Sequence, residues 1–476
     1  MTPTKIMQFA LGPIGAAILG FATLPIITWF FNVEDLGRIA MLQVVLGFST
    51  LFFSLGLDQS YVRDFHESKN RAKLFKTSIL PGAFLLLVSL SLILIFNGLL
   101  SELVFDVKSS WLSVMVALAI LSTFISRFLS LILRMHERGV AFSMSQLLPK
   151  FFLLLIIGFY VLAGANKNLE NLVYAYVFAA ISVSVIFSWN TRFEWSSSLS
   201  QKVDFQQLKN LLSFGLPLIW GGVAFWGLTA TDKIMIRSLS TYQELGIYSV
   251  SVSFAAAATI LQSVFSTVWA PTVYKWASNG ESMDKVHSVT RYILLCVVII
   301  FCLAGLFSWL VTYLLPSDYA DVQWILVSCL GFPLLYTISE TTVIGIGLAR
   351  KTSYSMLASF LALVVNLSGN ILLIPMYGAS GAAISTCIAF FVFFILRTEF
   401  SIYLWNPIPR LGLYAYTSLC VFGAVVSTLY GEKVYVYIQI YWLVMLVSCL
   451  FFFKREFKSL LVVMLSKVYS LKVNGK

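Results

Sequence analysis

Residues Leu211 to Ser253 read LLSFGLPLIWGGVAFWGLTATDKIMIRSLSTYQELGIYSVSVS. The stretch is an apolar span of helical length, interrupted early by Gly215 and Pro217, rich in small residues at Gly221, Gly222 and Gly227, and ending on Asp232, Lys233 and Arg237. A short turn at Tyr242 to Gly246 then opens a second apolar span. A relative of this pattern lies near the N-terminus. Phe9 to Leu46 also opens with Gly and Pro (Gly12, Pro13), runs apolar through Gly20 and Pro25, and reaches Glu34-Asp35-Leu36-Gly37-Arg38 before its own second span. Leu36-Gly37 and Leu245-Gly246 stand 209 residues apart. Gly/Pro-interrupted apolar segments in corresponding positions of two halves point to a binding site near the membrane midplane.

The rest of the chain supports a membrane setting. Of its 476 residues 59% are hydrophobic and 11% charged, whereas a soluble domain carries about 25% charged residues. Apolar stretches of about 18 residues or more recur throughout, and backbone groups in lipid must bond within their own element, so the stretches are helices. Nothing alternates with the period of two of a membrane barrel. The fold class expected is all-α and polytopic, with about 14 transmembrane helices. The spans fall at approximately 6 to 31, 37 to 62, 77 to 100, 110 to 133, 141 to 163, 170 to 189, 211 to 236, 244 to 273, 290 to 315, 321 to 347, 354 to 374, 379 to 400, 411 to 430 and 434 to 453. The first run is longer than a signal-peptide core and has no small-residue cleavage site near its end, so it is expected to stay as a helix.

The net charge of +11 does not indicate nucleic acid, because Lys and Arg cluster between spans. With an even number of spans both termini share one side, and 24 of the 32 basic residues fall on it. That side is cytoplasmic by the positive-inside rule. The longest loops, Asn190 to Asn210 and Tyr274 to Val289, leave no room for a soluble catalytic domain. The first twelve spans divide into two sixes, giving an N-lobe at 1–200, a C-lobe at 201–405, and a last pair of spans with a basic tail at 406–476. An even six gives the lobes the same orientation, as pseudo-symmetric bundles about an axis along the membrane normal. Cys296, Cys302, Cys329, Cys387, Cys420 and Cys449 all lie in apolar spans with no CxxC and read as small hydrophobes. His66, His136 and His287 are isolated in polar loops, so neither a metal site nor a cofactor is expected.

Phe214-Gly-Leu-Pro217, Thr231-Asp-Lys-Ile-Met-Ile236, Glu244-Leu-Gly-Ile-Tyr248, the run NILLIPMYGASGAA at 370–383 and SLGLDQSYVR at 54–63 together resemble the Wzx-type polysaccharide flippases of the multidrug/oligosaccharidyl-lipid/polysaccharide exporter superfamily. The resemblance covers the whole chain in span number and spacing. It implies a MATE-like arrangement of two six-helix lobes around a central cavity that rocks to face each side in turn, in a bacterial cytoplasmic membrane. The cargo it implies is an undecaprenyl-diphosphate-linked oligosaccharide, the repeat unit of an O-antigen, capsule or exopolysaccharide, passed from the cytoplasmic to the outer leaflet. As partners it implies membrane lipids, a polysaccharide polymerase and chain-length machinery, with the transporter itself a monomer whose work is coupled to a gradient of H+ or Na+.

Charges inside spans cost at least about 2.5 to 3.5 kcal/mol each at the helix centre, so they face protein or water. Thr123, Arg127, Ser130, Arg134 and Arg138 follow at intervals of three and four and share one stripe, with Arg127 roughly 10 Å inward of Arg134. A cationic cavity is one reading. The other makes Arg134 and Arg138 positive-inside anchors with Arg127 snorkelling toward them. Thr229, Lys233 and Arg237 repeat the design near the opposite face, where Asp232 either neutralises Lys233 or belongs to a coupling-ion site. In the second span Arg38, Ser49, Gly56, Ser60 and Arg63 share a face if the helix is straight, and Asp58 points away, toward a neighbouring helix. Glu340 is the lone charge deep in the tenth span; it reads as a proton carrier, a buried neutral acid or, by preference, a partner for Arg127. Asn366 and Asn370 continue a polar stripe from Ser355 and Ser359 that suits sugar hydroxyls, although hydrogen bonding between helices is the commoner use.

This chemistry is recognition. Arg forks and Lys point charges meet a diphosphate, while bond making has no visible apparatus: no Walker loop, zinc motif or Ser/His/Asp set, so an enzyme is not expected. Three rivals are a drug/cation exporter, which favours an acidic cavity, a lipid-linked peptidoglycan precursor flippase, which meets the same diphosphate, and a membrane-embedded polymerase or glycosyltransferase, which needs a large catalytic loop.

Overall fold

The computed structural model describes residues 3–279, 284–459 and 462. Met1 and three lysines of the basic tail, Lys467, Lys472 and Lys476, lie outside the described residues. Every regular element among the described residues is a helix. In chain order they are α1 (Pro3–Phe30), α2 (Val33–Phe53), α3 (Leu57–Asp64), α4 (Arg71–Ile95), α5 (Leu99–Phe105), α6 (Ser110–Met135), α7 (Gly139–Leu162), α8 (Leu169–Asn190), α9 (Arg192–Leu199), α10 (Phe205–Leu239), α11 (Tyr242–Ala255), α12 (Ala257–Ser278), α13 (Asp284–Phe307), α14 (Val322–Cys329), α15 (Gly331–Thr342), α16 (Ile344–Leu348), α17 (Thr352–Leu404), α18 (Leu411–Tyr430) and α19 (Tyr435–Phe452).

Ten of these helical segments are long and apolar enough to cross a membrane, or up to 12 if each of two bent pairs is one span. The count differs from the fourteen expected for identifiable reasons. The bent pairs, Phe205–Ala224 with Thr229–Leu239 and Tyr242–Ala255 with Ala257–Trp276, turn by 53° and 50° within the seventh and eighth expected spans. The eleventh and twelfth spans run together as α17, whose 53 residues contain a non-helical Gly378 (φ 52°, ψ −125°). A straight helix of that length would measure about 80 Å, far more than the roughly 30 Å hydrocarbon core. The first expected span falls on α1, whose stretch Gly15–Phe30 is apolar.

The chain forms two compact units, Met1–Ser249 and Val250–Lys476. The boundary falls after Leu245-Gly246 because α10 packs along α2 and α3. The division at residue 200 describes the spacing of the two Leu-Gly motifs in the sequence, a different property.

Three close approaches make the seam of α10 and the start of α11 against α2 and α3. At one end a Cβ on Gly37 would collide with the carbonyl of Tyr242 and lie 3.0 Å from the amide nitrogen of Gly246, while a Cβ on Gly246 would collide with the carbonyl of Val33. The contact is reciprocal, since each glycine faces the residue four before the other. Local two-fold packing produces that pattern. Midway, Gly222 faces the Leu51 side chain. At the other end Gly56 and Gly215 touch backbone to backbone, and the Ser60 hydroxyl donates to the Leu211 carbonyl at 2.8 Å.

The second expected span is not one straight helix. It breaks between α2 and α3 at Leu55 (φ 52°) and Gly56 (φ 65°), in the left-handed region that glycine occupies without a Cβ penalty. The Asn190 to Asn210 loop likewise contains a helix, α9, and is fastened to α4. The Lys76 ammonium donates to the carbonyls of Leu199 and Gln201, both at 2.7 Å. Lys73 reaches the Asp204 carboxylate at 2.8 Å, and Asp204 caps α10 by accepting from the Gln206 and Gln207 amides. The hydrogen bond from Lys73, aided by those amides, holds the Asp204 carboxyl below its usual range.

In the second unit α15 and α17 pack with a buried polar seam. The hydroxyls of Thr342 and Thr398 meet at 2.7 Å and the Gly345 amide donates to Ser401 Oγ at 2.9 Å. The last two helices join through Trp442, fully buried, whose indole nitrogen donates to Ser427 at 3.1 Å. All six cysteines are free, and all but Cys296 are buried, in keeping with their reading as small hydrophobes.

Candidate functional site

The break at Leu55-Gly56 redirects Asp58 in the first turn of α3, where the helix dipole favours a carboxylate. Asp58 is 6% exposed. From α6, Arg127 donates to its Oδ2 through Nη2 at 2.6 Å and Nε at 3.2 Å, and Gln59 adds a third donor at 3.1 Å. The Arg127 side chain remains 42% exposed, and its Nη1 meets no acceptor among the described residues. The pair stands in a recess of about 390 Å³ whose wall includes Gly47, Thr50, Ser54 and Thr123. A guanidinium held on one side by a buried carboxylate and open on the other can receive an oxyanion with the unused edge of its fork.

The Arg127 stripe holds from Thr123 to Arg134 and then ends. The hydroxyls of Thr123 and Ser130 donate to carbonyls of their own helix, and Arg134 is exposed. Arg138 lies past the end of α6, paired with Glu194 at 2.7 Å, so it leaves the stripe. Glu340 does not pair with Arg127. Its partner is Arg397 at 2.8 Å, with side chains 13% and 8% exposed. Arg397 also donates to Ser339 Oγ at 2.7 Å and lies against the rings of Tyr336 and Phe393. Its basic charge suggested a cytoplasmic end in the sequence; the structure buries it because Glu340 and two aromatic faces replace water.

Arg38 and Arg237 come together at the C-terminal turn of α5. Arg38 bonds Glu34 at 2.6 Å, Asp35 at 3.2 Å and the Phe105 carbonyl at 3.0 Å. Arg237 reaches the Glu102 carbonyl at 3.4 Å, both guanidinium groups flank the Tyr242 ring, and Tyr242 itself donates to the Val104 carbonyl. Together they satisfy the open carbonyls at the C-terminal turn of α5, where cations are favoured. Arg63 pairs with Asp64 at 2.6 Å and stacks over Phe214.

Asp232 is buried and accepts from the Tyr248 hydroxyl at 2.6 Å. It also interacts electrostatically with its neighbour Lys233, as does Lys150 on α7. Asn366 and Asn370 are fully buried. Asn366 donates to Thr386 at 3.0 Å, its carbonyl accepts from Ser385 at 2.8 Å, and Asn370 donates to Asn366 at 3.3 Å. They tie the two arms of α17 together.

The family model for "Polysaccharide biosynthesis protein" matches residues 5–276. The chain belongs to this family. Two curated relatives align with it. One is the "Probable low-salt glycan biosynthesis flippase Agl15" of Haloferax volcanii, 21% identical over 51% of this chain and 51% of its own length. The other is the "Capsular polysaccharide biosynthesis protein CapF" of Staphylococcus aureus, 24% identical over 50% of this chain and 62% of its own length. The chain thus matches about half to three-fifths of these relatives' lengths. Among solved structures, a lipid II flippase MurJ in an inward closed conformation superposes with a TM-score of 0.67 at 14% identity, covering 94% of this chain and 99% of that one. An inward-facing multidrug resistance MATE family transporter of the MOP superfamily gives 0.55 at 14% identity over 84% and 96%. The fold of this polysaccharide biosynthesis family member is therefore that of MOP-type multi-pass membrane transporters.

Proposed function

We propose that this protein is a flippase for a lipid-linked oligosaccharide, carried on undecaprenyl diphosphate from the cytoplasmic to the outer leaflet by alternating access, in a bacterial cytoplasmic membrane with both termini inside. The observation that carries the reading is Arg127, half open to the recess and balanced on one side only by Asp58. A diphosphate fits the open edge. Meeting it draws Arg127 off Asp58, and a cation taking Arg127's place, H+ or Na+, keeps the buried carboxylate balanced. Family membership and the names of the relatives support a glycan cargo, and the paired Arg127 supports an anionic one over a cationic drug.

The test is export of the surface glycan from cells carrying Arg127 variants. A charge-assisted hydrogen bond contributes about 1.5 to 3 kcal/mol, roughly one to two decades in affinity. Arg127→Ala and Arg127→Glu abolish or sharply reduce display at normal protein abundance, while Arg127→Lys keeps part of it because charge survives without the fork. Full display with Arg127→Glu overturns the assignment.

A further inference from the structure

Beyond the Gly47 edge of the recess that Arg127 lines stands an aromatic group that the charge chemistry does not use. Gly47 lines the recess, and a Cβ built on it would stand 3.4 Å from the indole nitrogen of Trp226. A methyl group at Gly47 would meet the indole at ordinary van der Waals distance, so the indole lies directly over α2 at this level. Trp226 packs against Phe48 with ring centroids 5.0 Å apart, and Phe48 stacks on Phe52 at 5.6 Å with an interplanar angle of 18°. Both phenylalanines are exposed and Trp226 is half-buried. Trp226 Nε1 meets no acceptor among the described residues. Trp226 also sits inside the break of α10, between the arms Phe205–Ala224 and Thr229–Leu239. Interrupted membrane helices place their break at a binding site because irregular backbone is tolerated where it lines a cavity.

We infer that Trp226, backed by Phe48, is a stacking platform for a sugar ring of the cargo, standing at the Gly47 edge of the recess that Arg127 lines, so that a single ligand meets the guanidinium with its diphosphate and the indole with the sugar bonded to it. A pyranose shows an apolar face of axial C–H bonds that suits an aromatic ring, and its hydroxyls suit an unused indole N–H. Ring stacking tolerates changes in the identity of the sugar, so the platform requires a ring without selecting one glycan. The inference rests on the flippase reading and extends it from the diphosphate to the sugar.

The experiment measures binding of two lipids to the full-length protein in nanodiscs, undecaprenyl diphosphate and undecaprenyl-diphospho-N-acetylglucosamine. The native protein binds both and the glycosylated lipid more tightly. Trp226→Ala loses roughly three- to tenfold in affinity for the glycosylated lipid with that for undecaprenyl diphosphate unchanged, and Trp226→Phe restores most of the difference. Trp226→Leu, which keeps apolar volume without a ring, replaces Trp226→Ala if the latter fails to insert. Equal binding of both lipids by the native protein, an unaltered preference in Trp226→Ala, or an equal loss for both lipids overturns the platform while leaving the flippase reading standing. Failure of the native protein to bind either lipid overturns the flippase reading itself.

Discussion

Gly37 and Gly246 pack so closely that neither has room for a methyl group: the Tyr242 carbonyl occupies the Cβ position of the first, and the Val33 carbonyl that of the second. Because the obstacle in both cases is backbone, a side chain cannot be accommodated by rotamer change. Gly37→Ala and Gly246→Ala should each destabilise the protein by about 1 to 3 kcal/mol, the usual cost of overpacking. Gly20→Ala, where nothing lies within 4 Å of the new atom, should leave thermal unfolding in detergent unchanged or slightly raised. Equal melting temperatures for all three variants would show that the seam does not bear on stability.

Arg397 and Glu340 form the more buried of the two in-span pairs. Arg397→Ala leaves a carboxylate without its counter-ion and should cost about 3 to 5 kcal/mol. Arg397→Met combined with Glu340→Leu should recover much of that loss, since apolar side chains of similar volume need no counter-ion. A double variant no more stable than Arg397→Ala would place the energy in the aromatic contacts with Tyr336 and Phe393 instead.

Asn366 joins the two arms of α17, so its role is read as packing. Asn366→Ala should lower stability by about 0.5 to 1.5 kcal/mol, the range of hydrogen bonds between membrane helices, and leave the exported glycan unchanged in composition. A change in the sugar exported at undiminished stability would return Asn366 to the binding surface.

The sidedness of the loops follows from the basic residues, 24 of 32 on one side. Reporter fusions after Asn70 and after Lys167 should report opposite sides of the membrane, the first cytoplasmic. The same side for both breaks the topology.

The sequence by itself determined the solvent and the element type, because an 11% charged chain with recurrent long apolar runs can satisfy its backbone in lipid only as helices. It also marked the two Leu-Gly motifs and placed Arg127 on a polar stripe, since both are properties of spacing along a helix. What it could not determine was which charges meet. Asp58 reaches Arg127 only because the chain leaves helical geometry at Leu55-Gly56, and helical periodicity, which assumes a straight span, turned that carboxylate toward no particular neighbour. Arg397 carries no mark of its partners in the sequence; tertiary contacts set Glu340 and two rings against it. Arg38 and Arg237 matched the pattern of a cationic cavity, and the short helix α5 between them and solvent took their donors. Trp226 carried no signal at all, being one more aromatic residue in an apolar run, until the break in α10 and the packing of its indole on Gly47 and Phe48 set it at the edge of the recess. Periodicity fixes the face of a helix on which a residue lies; the neighbour waiting on that face is supplied by residues far away in the chain.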